Sequence, residues 1–479
     1  MVTPAEMASA ERAVIQGGRP ALALMEIAAR AVADVASSRP RRPKDGFVVL
    51  AGPGNNGGDA IAAARLLREK GAEKLRVYLL AGSAVLSPDL AHQLALFGPV
   101  SRDLLPDLDG SITVIDGLFG TGLTRALEGP HAAIARHLAN RSPERSVIAI
   151  DIPSGVDGRT GQILGAALRA DVTVTFQAPK LGHYLHPGRE HRGELIVADI
   201  GVPIATAGAD LAGDEAIAQA LPPRAPTAHK GTFGHLMVIA GHPDRPGSAL
   251  LAARAALRTG AGLVTLASAR ATIERLAPAL VELMGLDAGS PRIDPAIVLA
   301  ALERKNALVI GPSLEPADHA AIRRILAESE LPAVVDAGAL DAFEPRRGPT
   351  ILTPHPGEMS RLSGLTVAEV ERDRPAAARD LSKKTGAIVV LKGATTLIAS
   401  PDGALTIITT GNPGMATGGT GDVLAGMIGS LLAQRVEPRL AAVAGAHLHG
   451  KAGDLAQQKQ GEASLIASDV IDAIGPALR

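Results

Sequence analysis

The sequence predicts an α/β protein of two domains, each with a mostly parallel sheet covered by helices on both faces. Short apolar runs typical of buried strands alternate along the chain with longer runs at helical spacing, and 46% of the 479 residues are hydrophobic. Residues 201–227 interrupt this alternation, because they are rich in Ala and Pro and contain no clear strand. We therefore expect a boundary near residue 220, between domains of residues 1–220 and 221–479.

The charge balance argues against nucleic acid or an anionic membrane as the main partner. The chain has 48 Lys and Arg against 49 Asp and Glu, a formal net charge of -1. It has no Cys, which excludes disulfides, thiolate nucleophiles and Cys-ligated zinc. The first residues, MVTPAEMASAERAV, lack the apolar core of a signal peptide, and no uncharged apolar run approaches the roughly 18 residues of a membrane span. These observations lead us to expect a cytoplasmic protein.

The first half begins with two predicted helices and continues as alternating strands and helices. Apolar residues at helical spacing over 5–36 are interrupted by Gly17, Gly18 and Pro20, which indicates a helix, a turn and a second helix. A strand is expected at 47–50, then a loop rich in Gly and Asn, then an amphipathic helix, a unit that binds ligands at the carboxyl end of a sheet. Further strands are predicted at 75–80, 112–115, 147–150, 172–176 and 195–197.

Polar or Gly-bearing turns follow three of these strands. Asp116 precedes GLFGTGL, Asp151 precedes IPSGVDG and Gln177 precedes APKLG. The carboxyl ends of parallel strands meet at one edge of a sheet, so these turns should converge on the NNGGD loop. A single Asp at a strand end commonly caps the next helix. Two of them from separate strands, facing a loop rich in Gly and Asn, favour a ligand site.

The second half repeats this organisation. A strand is predicted at 236–241, a helix at 249–259 and a strand at 262–267, followed by strands at 307–310, 333–335, 351–352, 388–391, 396–398 and 405–408. The turns GPSL, TPHPGE and KGATT place Gly311, His355 and Lys392 beside the sheet edge. His355 lies between two prolines and is either structural or catalytic. The HKGTFGH segment either closes over an anion or is a solvated loop.

The stretch NPGMATGGTGDVLAG, residues 412–426, combines a flexible loop with a predicted helix start. Its glycines allow close approach to a ligand, and an apolar helix is expected over 423–432. The free N–H groups at such a start bind phosphate. Asp422 either caps this helix or removes a proton from a bound hydroxyl. With the turns bearing Lys and His, the loop is typical of phosphoryl transfer.

These motifs together resemble a known family. HKGTFGH, GPSL, TPHPGE, KGATT and GTGD resemble the ADP- or ATP-dependent NAD(P)H-hydrate dehydratases, relatives of ribokinase-like kinases. GPGNNGGDA, DGLFGTGL and DIPSGVDG resemble the NAD(P)H-hydrate epimerase domain. Their order resembles that of the bifunctional NAD(P)H-hydrate repair enzymes. The resemblance implies a Rossmann-like first domain and a ribokinase-like second domain.

The resemblance also implies an activity. The epimerase would interconvert the R and S hydrates of NADH and NADPH, and the dehydratase would restore the S form with ADP and Mg²⁺. A homo-oligomer is the expected assembly. Two other hypotheses remain open at this point: a kinase for a vitamin-like alcohol fused to a nucleotide-binding module, and a first half that only senses nucleotides or binds a partner.

Site residues follow from the same resemblance. Asp422 would be the base of the dehydratase, and Asp151 and Lys180 would be the acid and base of the epimerase, in either order. The hydrate contacts of the epimerase would be Asn55, Asn56, Gly57, Gly58, Asp59, Gly117, Leu118, Phe119, Gly120, Thr121, Gly122, Leu123 and Asp151, and its potassium ligands Asn56, Asp116 and Ser154. In the dehydratase, Ser248, Gly311, His355 and Asp422 would contact the hydrate, and Lys392, Gly393, Ala394, Thr395, Thr396 and Gly421 would contact ADP.

Three positions depart from the family pattern. Ser248 replaces Ala at a position that contacts the hydrate, and its hydroxyl is expected to fit while altering the contact with the ring. Glu11 stands where Asp is common, and Ala29 stands where Gly is common. Both lie on the predicted leading helices, so we expect them to affect helix packing or an interface more than the chemistry.

Overall fold

The computed structural model describes residues 1–38, 46–205 and 208–479, and the chain forms two compact units, residues 1–209 and 210–479. The first unit therefore ends before residue 220, where we expected the boundary. The reason is that Asp210–Leu211 and Asp214–Ala220 belong to the second unit, the former as an edge strand and the latter as a helix.

The first unit contains a six-stranded parallel sheet, in the order β2-β1-β3-β4-β5-β6. Its strands are β1 (Gly46–Ala51), β2 (Leu75–Leu79), β3 (Ile112–Gly117), β4 (Ser146–Ile150), β5 (Val172–Phe176) and β6 (Glu194–Ala198). Its helices are α1 (Pro4–Gln16), α2 (Ala21–Ser38), α3 (Asn55–Glu69), α4 (Pro88–Phe97), α5 (Gly129–Ala139) and α6 (Gly188–His191). All six predicted strands are confirmed.

One boundary in this unit bears on the site. The third strand was expected to end at residue 115, but β3 continues through Asp116 and Gly117, which pair with Leu50 and Ala51. Asp116 is fully buried. A buried Asp inside a strand cannot cap a helix that follows, so the helix-cap explanation does not apply to it.

The second unit is built on a ten-stranded sheet, in the order β10-β9-β8-β11-β12-β13-β14-β15-β16-β7. Its strands are β7 (Asp210–Leu211), β8 (His235–Ile239), β9 (Leu263–Ser268), β10 (Met284–Asp287), β11 (Ala307–Ile310), β12 (Ala333–Val335), β13 (Thr350–Leu352), β14 (Ile388–Leu391), β15 (Thr396–Ala399) and β16 (Leu405–Ile408). All neighbours are parallel except β15, which is antiparallel to β14 and β16. The strands β7 and β10 were not predicted.

Eleven α-helices of this unit lie in the part of the chain that the structure describes. They are α7 (Asp214–Ala220), α8 (Gly247–Arg258), α9 (Arg270–Leu276), α10 (Pro295–Ala300), α11 (His319–Glu328), α12 (Pro356–Ser363), α13 (Val367–Arg372), α14 (Arg374–Thr385), α15 (Thr420–Ala433), α16 (Pro438–Gln460) and α17 (Ala467–Ala477).

The helix α15 lies in the core of the second unit. Nearly all of its residues are buried, and it packs closely on α8. The close approach depends on Gly426, where a Cβ atom would lie 2.0 Å from the carbonyl oxygen of Ala252. Burial on all sides holds the helix rigidly, so its first turn presents backbone N–H groups from a fixed position. Over residues 1–38, 46–205 and 208–479, no helix is long and apolar enough to cross a membrane.

Candidate active sites

The first site is centred on an ion pair at the ends of β4 and β5. Asp151 follows β4, and its Oδ1 lies 2.5 Å from the Nζ atom of Lys180. The hydroxyl of Thr175 donates to the same Oδ1 at 3.0 Å, and Lys180 Nζ lies 3.0 Å from that hydroxyl. Lys180 is only 1% exposed. The two residues expected to exchange protons in the first domain are therefore in direct contact.

The environment keeps the carboxyl group of Asp151 ionised. Burial alone would raise its pKa, but the charge of Lys180 and hydrogen bonds from Lys180 and Thr175 lower it overall. The backbone of Asp151 is unusual, since its φ of +65° lies in the left-handed region. This conformation is consistent with a residue held in place by its surroundings rather than by local preference.

The loops expected to form the remainder of this site also come together. A Cβ atom on Gly120 would lie 3.1 Å from Asn56 Oδ1, so the loop after β3 meets the start of α3. Asn55 and Asp59 line a small cavity of about 110 Å³. Burial and the charge of Asp151 raise the pKa of Asp59 well above its ordinary range, which favours a neutral carboxyl group.

Glu11 also lines this cavity, although we expected it to affect helix packing or an interface more than the chemistry. Burial and the nearby charge of Asp151 raise the pKa of Glu11. Electrostatic coupling to Asp151 makes Glu11 a neighbour of the site. The second departure, Ala29, is a fully buried residue of α2 in the helix core, as expected.

Asp116 and Ser154 form a buried polar cluster beside the first site. The Ser154 hydroxyl donates to Asp116 Oδ1 at 2.6 Å, and the Ser154 amide donates to Oδ2 at 2.9 Å. Burial raises the pKa of Asp116 to about 6. The amide nitrogen Nδ2 of Asn56 is buried and has no hydrogen-bond partner among the described residues. These side chains supply the carboxylate, hydroxyl and amide oxygens that hard cations prefer.

The second site is centred on the first turn of α15. This helix begins at Thr420, three residues earlier than the expected start at 423, because Gly419 occupies the N-cap position with φ +95°. Gly421 and Asp422 consequently lie inside the first turn, and Asp422 is not the N-cap residue. The hydroxyl of Thr420 donates to the carbonyls of Met415 and Thr417, both at 3.0 Å, and so fixes the loop before the helix.

A cluster of charged residues faces this turn. Lys392 Nζ lies 3.0 Å from Asp336 Oδ1 and 3.8 Å from Glu358 Oε2. A Cβ atom on Gly421 would lie 3.4 Å from the same nitrogen, so Lys392 lies beside the helix N-terminus. The KGATT turn and the GTGD helix start, which we expected to bind an anion together, therefore lie side by side.

Asp422 titrates near neutral pH in this environment. Burial and the charge of Asp336 raise its pKa to about 7, against the opposing effect of Lys392. Burial alone would lower the pKa of Lys392, but Asp336 and Glu358 raise it, which keeps the ammonium charged. A carboxylate with this pKa can accept a proton at neutral pH, next to a permanent positive charge.

His355 caps α12. Its Nδ1 accepts hydrogen bonds from the amides of Gly357, at 3.0 Å, and Glu358, at 3.3 Å. His355 therefore has a structural role, which is one of the two roles that the sequence left open. Its side chain is 53% exposed, and its Nε2 lies 3.5 Å from Glu358 Oε1. The ring thus remains accessible to a ligand while it caps the helix.

The other two residues expected to contact the hydrate lie near each other. Ser248 Oγ lies 2.5 Å from the hydroxyl of Ser313, two residues after Gly311. Gly311 has φ +132°, and a Cβ atom on it would lie 1.7 Å from the carbonyl oxygen of Asp336. Only glycine allows this approach, which brings the loop after β11 against the end of β12.

Three residues of the second site were not predicted. Asp336 directly follows β12, so the pattern of polar residues at strand ends could have identified it. Glu358 ends the quoted TPHPGE turn, three residues after the cap, which is a capping-box spacing. Arg374 gave no signal in the sequence, yet its Nη2 donates to the carbonyls of Leu391, Lys392 and Thr395 and thereby shapes the KGATT turn.

Comparisons with known proteins match both halves of the chain. A family model described as NAD(P)H-hydrate dehydratase matches residues 236–476, and one described as YjeF-related protein N-terminus matches residues 21–182. A solved ADP/ATP-dependent NAD(P)H-hydrate dehydratase from Bacillus subtilis, co-crystallised with ATP and Mg²⁺, is 32% identical and covers 56% of this chain and 97% of its own, with a TM-score of 0.51. A ribokinase-like superfamily protein from Enterococcus faecalis is 26% identical over 58% of this chain and 97% of its own, also with a TM-score of 0.51.

Full-length relatives carry both halves in the same order. The bifunctional NAD(P)H-hydrate repair enzyme of Moorella thermoacetica is 37% identical and covers 100% of this chain and 96% of its own. The enzyme of that description from Escherichia coli is 36% identical and covers 89% and 84%. The ribokinase-like class expected for the second domain is confirmed. This chain belongs to the family of bifunctional NAD(P)H-hydrate repair enzymes.

Proposed function

We propose that this chain repairs NAD(P)H hydrates in two steps, with the first unit interconverting the R and S epimers and the second dehydrating the S form. The observation that carries the proposal is the second site, where Asp422, with a pKa of about 7, lies at a helix N-terminus beside Lys392. This arrangement suits transfer of a phosphoryl group to a hydroxyl. The full-length relatives extend the proposal to the first unit.

The second step requires activation of the hydroxyl, because hydroxide is a poor leaving group. The hydroxyl oxygen of the hydrate attacks the terminal phosphorus of the nucleotide, and Asp422 accepts the proton of that hydroxyl. The bond between the terminal phosphorus and the bridging oxygen breaks. Inorganic phosphate then leaves with the C–O electron pair, a proton is lost from the ring, and the double bond of NAD(P)H is restored. Backbone N–H groups near Gly421 hold the transferring oxygens, and Lys392 neutralises their charge.

The nucleotide would bind along the turn after β14. Lys392, Gly393, Ala394, Thr395, Thr396 and Gly421 are the residues that we assign to it. Bound Mg²⁺ supplies charge neutralisation on the phosphates, and the buried carboxylates of Asp336 and Glu358 are suited to hold it or its water ligands. The Bacillus subtilis relative was crystallised with ATP and Mg²⁺. We propose ADP as the preferred donor of this chain.

Epimerisation breaks and remakes the bond between the hydroxyl oxygen and the ring carbon, or opens the ring, with proton transfer in either case. Asp151 and Lys180 exchange these protons, and Thr175 holds the Asp151 carboxylate. The start of α3, which contains Asn55, and the loop that contains Gly120 bind the hydrate. A potassium ion held by Asn56, Asp116 and Ser154 would supply a positive charge that favours ionised Asp116. We further propose a homo-oligomer located in the cytoplasm.

One assay tests the activity. The protein is incubated with an equilibrium mixture of NADH hydrates, Mg²⁺ and ADP or ATP, and the return of the reduced-nicotinamide absorbance is followed. We expect both epimers to be recovered, and the faster donor identifies the nucleotide preference. No recovery of either epimer contradicts the proposal, and a phosphorylated product that persists identifies a simple kinase instead.

A further inference from the structure

His183 connects the main chains of Asp151 and Lys180. It ends a short 3-10 helix, Leu181–His183, and its ring is only 1% exposed. The amide of Lys180 donates to His183 Nδ1 at 3.0 Å, and His183 Nε2 lies 2.9 Å from the carbonyl oxygen of Asp151. An amide N–H only donates and a carbonyl only accepts, so one neutral tautomer, with its proton on Nε2, satisfies both bonds.

We infer that His183 is a positioning residue of the epimerase site, which holds the backbones of Asp151 and Lys180 at the separation that their side chains need. The inference rests on the roles proposed above for Asp151 and Lys180. His183 acts through these two residues, since both of its ring nitrogens are engaged by the protein.

The backbone of Asp151 shows why such support is needed. Its φ of +65° is disfavoured for a residue other than glycine, and such a conformation persists only where neighbours hold it. The amide of Asp151 donates to the carbonyl of Val174 at 2.8 Å, and His183 holds the carbonyl of the same residue. With both ends of the residue fixed, its carboxylate is directed at Lys180 Nζ. Rotation of the Asp151 backbone would move that carboxylate away.

The ring contributes no charge to the pair that it positions. Burial and the positive charge of Lys180 lower the pKa of His183 to about 3, so the imidazole is neutral over the working range of most enzymes. A protonated ring would present an N–H to the amide of Lys180 and break that bond. The geometry and the charge state therefore agree on a single role.

Three variants of the full chain test the inference. His183→Leu removes both bonds, His183→Asn keeps an acceptor near the position of Nδ1, and His183→Gln keeps a donor near the position of Nε2. Each variant is given isolated R hydrate with the nucleotide and Mg²⁺, and the return of the reduced-nicotinamide absorbance is followed. An excess of the Asp151→Asn chain is present to dehydrate the S product, so that epimerisation limits the rate. The rate without the tested variant is subtracted as background.

We expect His183→Leu to lower kcat for epimerisation by about 100-fold, the scale of a misplacement of 1 Å, with KM changed less than about twofold. His183→Gln should recover part of kcat because it can still hold the Asp151 carbonyl. Dehydration of S hydrate by the second unit of the same variant is the internal control and should not change. A wild-type kcat in His183→Leu overturns the inference.

Failure of this inference can be distinguished from failure of the proposed function. If Asp151→Asn retains full epimerisation, the proposed role of Asp151 is wrong and the inference falls with it. If Asp151→Asn is inactive and His183→Leu has wild-type kcat, only the inference is wrong. If His183→Leu does not fold, the amide variants decide: wild-type kcat in both overturns the inference, and a lower kcat at unchanged KM in either supports it.

Discussion

At the scale of single residues, both sites depend on carboxyl groups whose protonation is set by their neighbours. Lys180 keeps the carboxyl group of Asp151 ionised. Burial and the charge of Asp336 instead raise the pKa of Asp422 to about 7. The two Asp residues therefore suit different tasks at the same pH. In the resting site Asp151 is an anion paired with Lys180, whereas Asp422 can be in either form near neutral pH.

Asp422 should give dehydration a limb on the acidic side of its pH profile. A base must be deprotonated, so kcat/KM for S hydrate should fall as pH drops below about 7. Asp336→Asn removes a like charge and frees Lys392, so this limb should move to lower pH. The measurement is the rate of NADH recovery from pH 5 to 9.

The phosphate of the nucleotide also titrates in this range, with a pKa of about 6. A limb of the pH profile caused by the nucleotide would stay at the same pH in Asp336→Asn. An unmoved limb would assign the titration to the nucleotide.

Asp422→Asn should separate the two activities. The amide keeps the shape of the side chain but cannot accept the proton, so dehydration should fall by about 10²- to 10⁴-fold, the usual contribution of a general base. Epimerisation of R hydrate, measured by chromatography of the two epimers, should be unchanged because Asp151 and Lys180 lie in the other unit. Loss of both activities would show that the sites are not independent.

At the scale of elements, the sequence predicted every strand of the described residues except β7 and β10. Runs such as GFVVLA in β1 were recognisable because they are apolar throughout and buried. The strands β7 and β10 were missed because neither is an apolar run: β7 is two exposed residues, and β10 is the partly exposed edge strand MGLD. The start of α15 was placed too late, since Gly418, Gly419 and Gly421 on either side of Thr420 suggested a loop.

The turn between β14 and β15 depends on Arg374 from α14. Its Nη2 donates to the carbonyls of Leu391, Lys392 and Thr395 while its Nη1 donates to Glu371 at 2.7 Å, and a Lys has one shorter-reaching nitrogen that cannot make both sets of contacts. Arg374→Lys should therefore raise KM for ADP by about tenfold, with a smaller effect on kcat, and should lower the free energy of unfolding by about 1–3 kcal/mol. Steady-state kinetics and urea unfolding measure the two effects.

A matched control for this variant is Arg372→Lys. Arg372 is close in sequence, is 71% exposed and pairs only loosely with Glu369, at 3.8 Å. Exposed pairs contribute little, about 0–1 kcal/mol, so neither KM nor stability should change appreciably. Equal effects of the two substitutions would argue against a specific role for the turn.

At the scale of the whole molecule, the charge cluster of the second site shows the limit of prediction from sequence. Asp336 and Lys392 are 56 residues apart in the chain, and only the order of β12, β13 and β14 in the sheet brings them together. The GTGD and KGATT motifs indicated a phosphate site, but no local pattern specified which carboxylates would face Lys392. The first site was more predictable, because Asp151 and Lys180 follow the neighbouring strands β4 and β5.

The position of the boundary between the units can be tested with two fragments. A fragment of residues 210–479 keeps β7 and α7, whereas one of residues 221–479 loses them. Ile217 of α7 is buried, and Asp214 pairs with Lys451 at 2.8 Å. The shorter fragment should be less stable by several kcal/mol, since burial of Ile217 alone contributes roughly 1.5–3 kcal/mol. Urea unfolding of both fragments is the measurement, and equal stability would favour a boundary near residue 220.

The left-handed backbone of Asp151 also restricts how this position can evolve. A single-nucleotide change in an Asp codon gives Asn, Gly, Glu, Ala, Val, His or Tyr. Asn and Gly are the ones best suited to φ +65°, and both lack a carboxylate. Glu keeps the carboxylate at the cost of a strained backbone. Lineages that lose the epimerase reaction should therefore acquire Asn or Gly first at this codon while the fold persists. The residue found there then distinguishes gene copies without epimerase activity from copies that retain it.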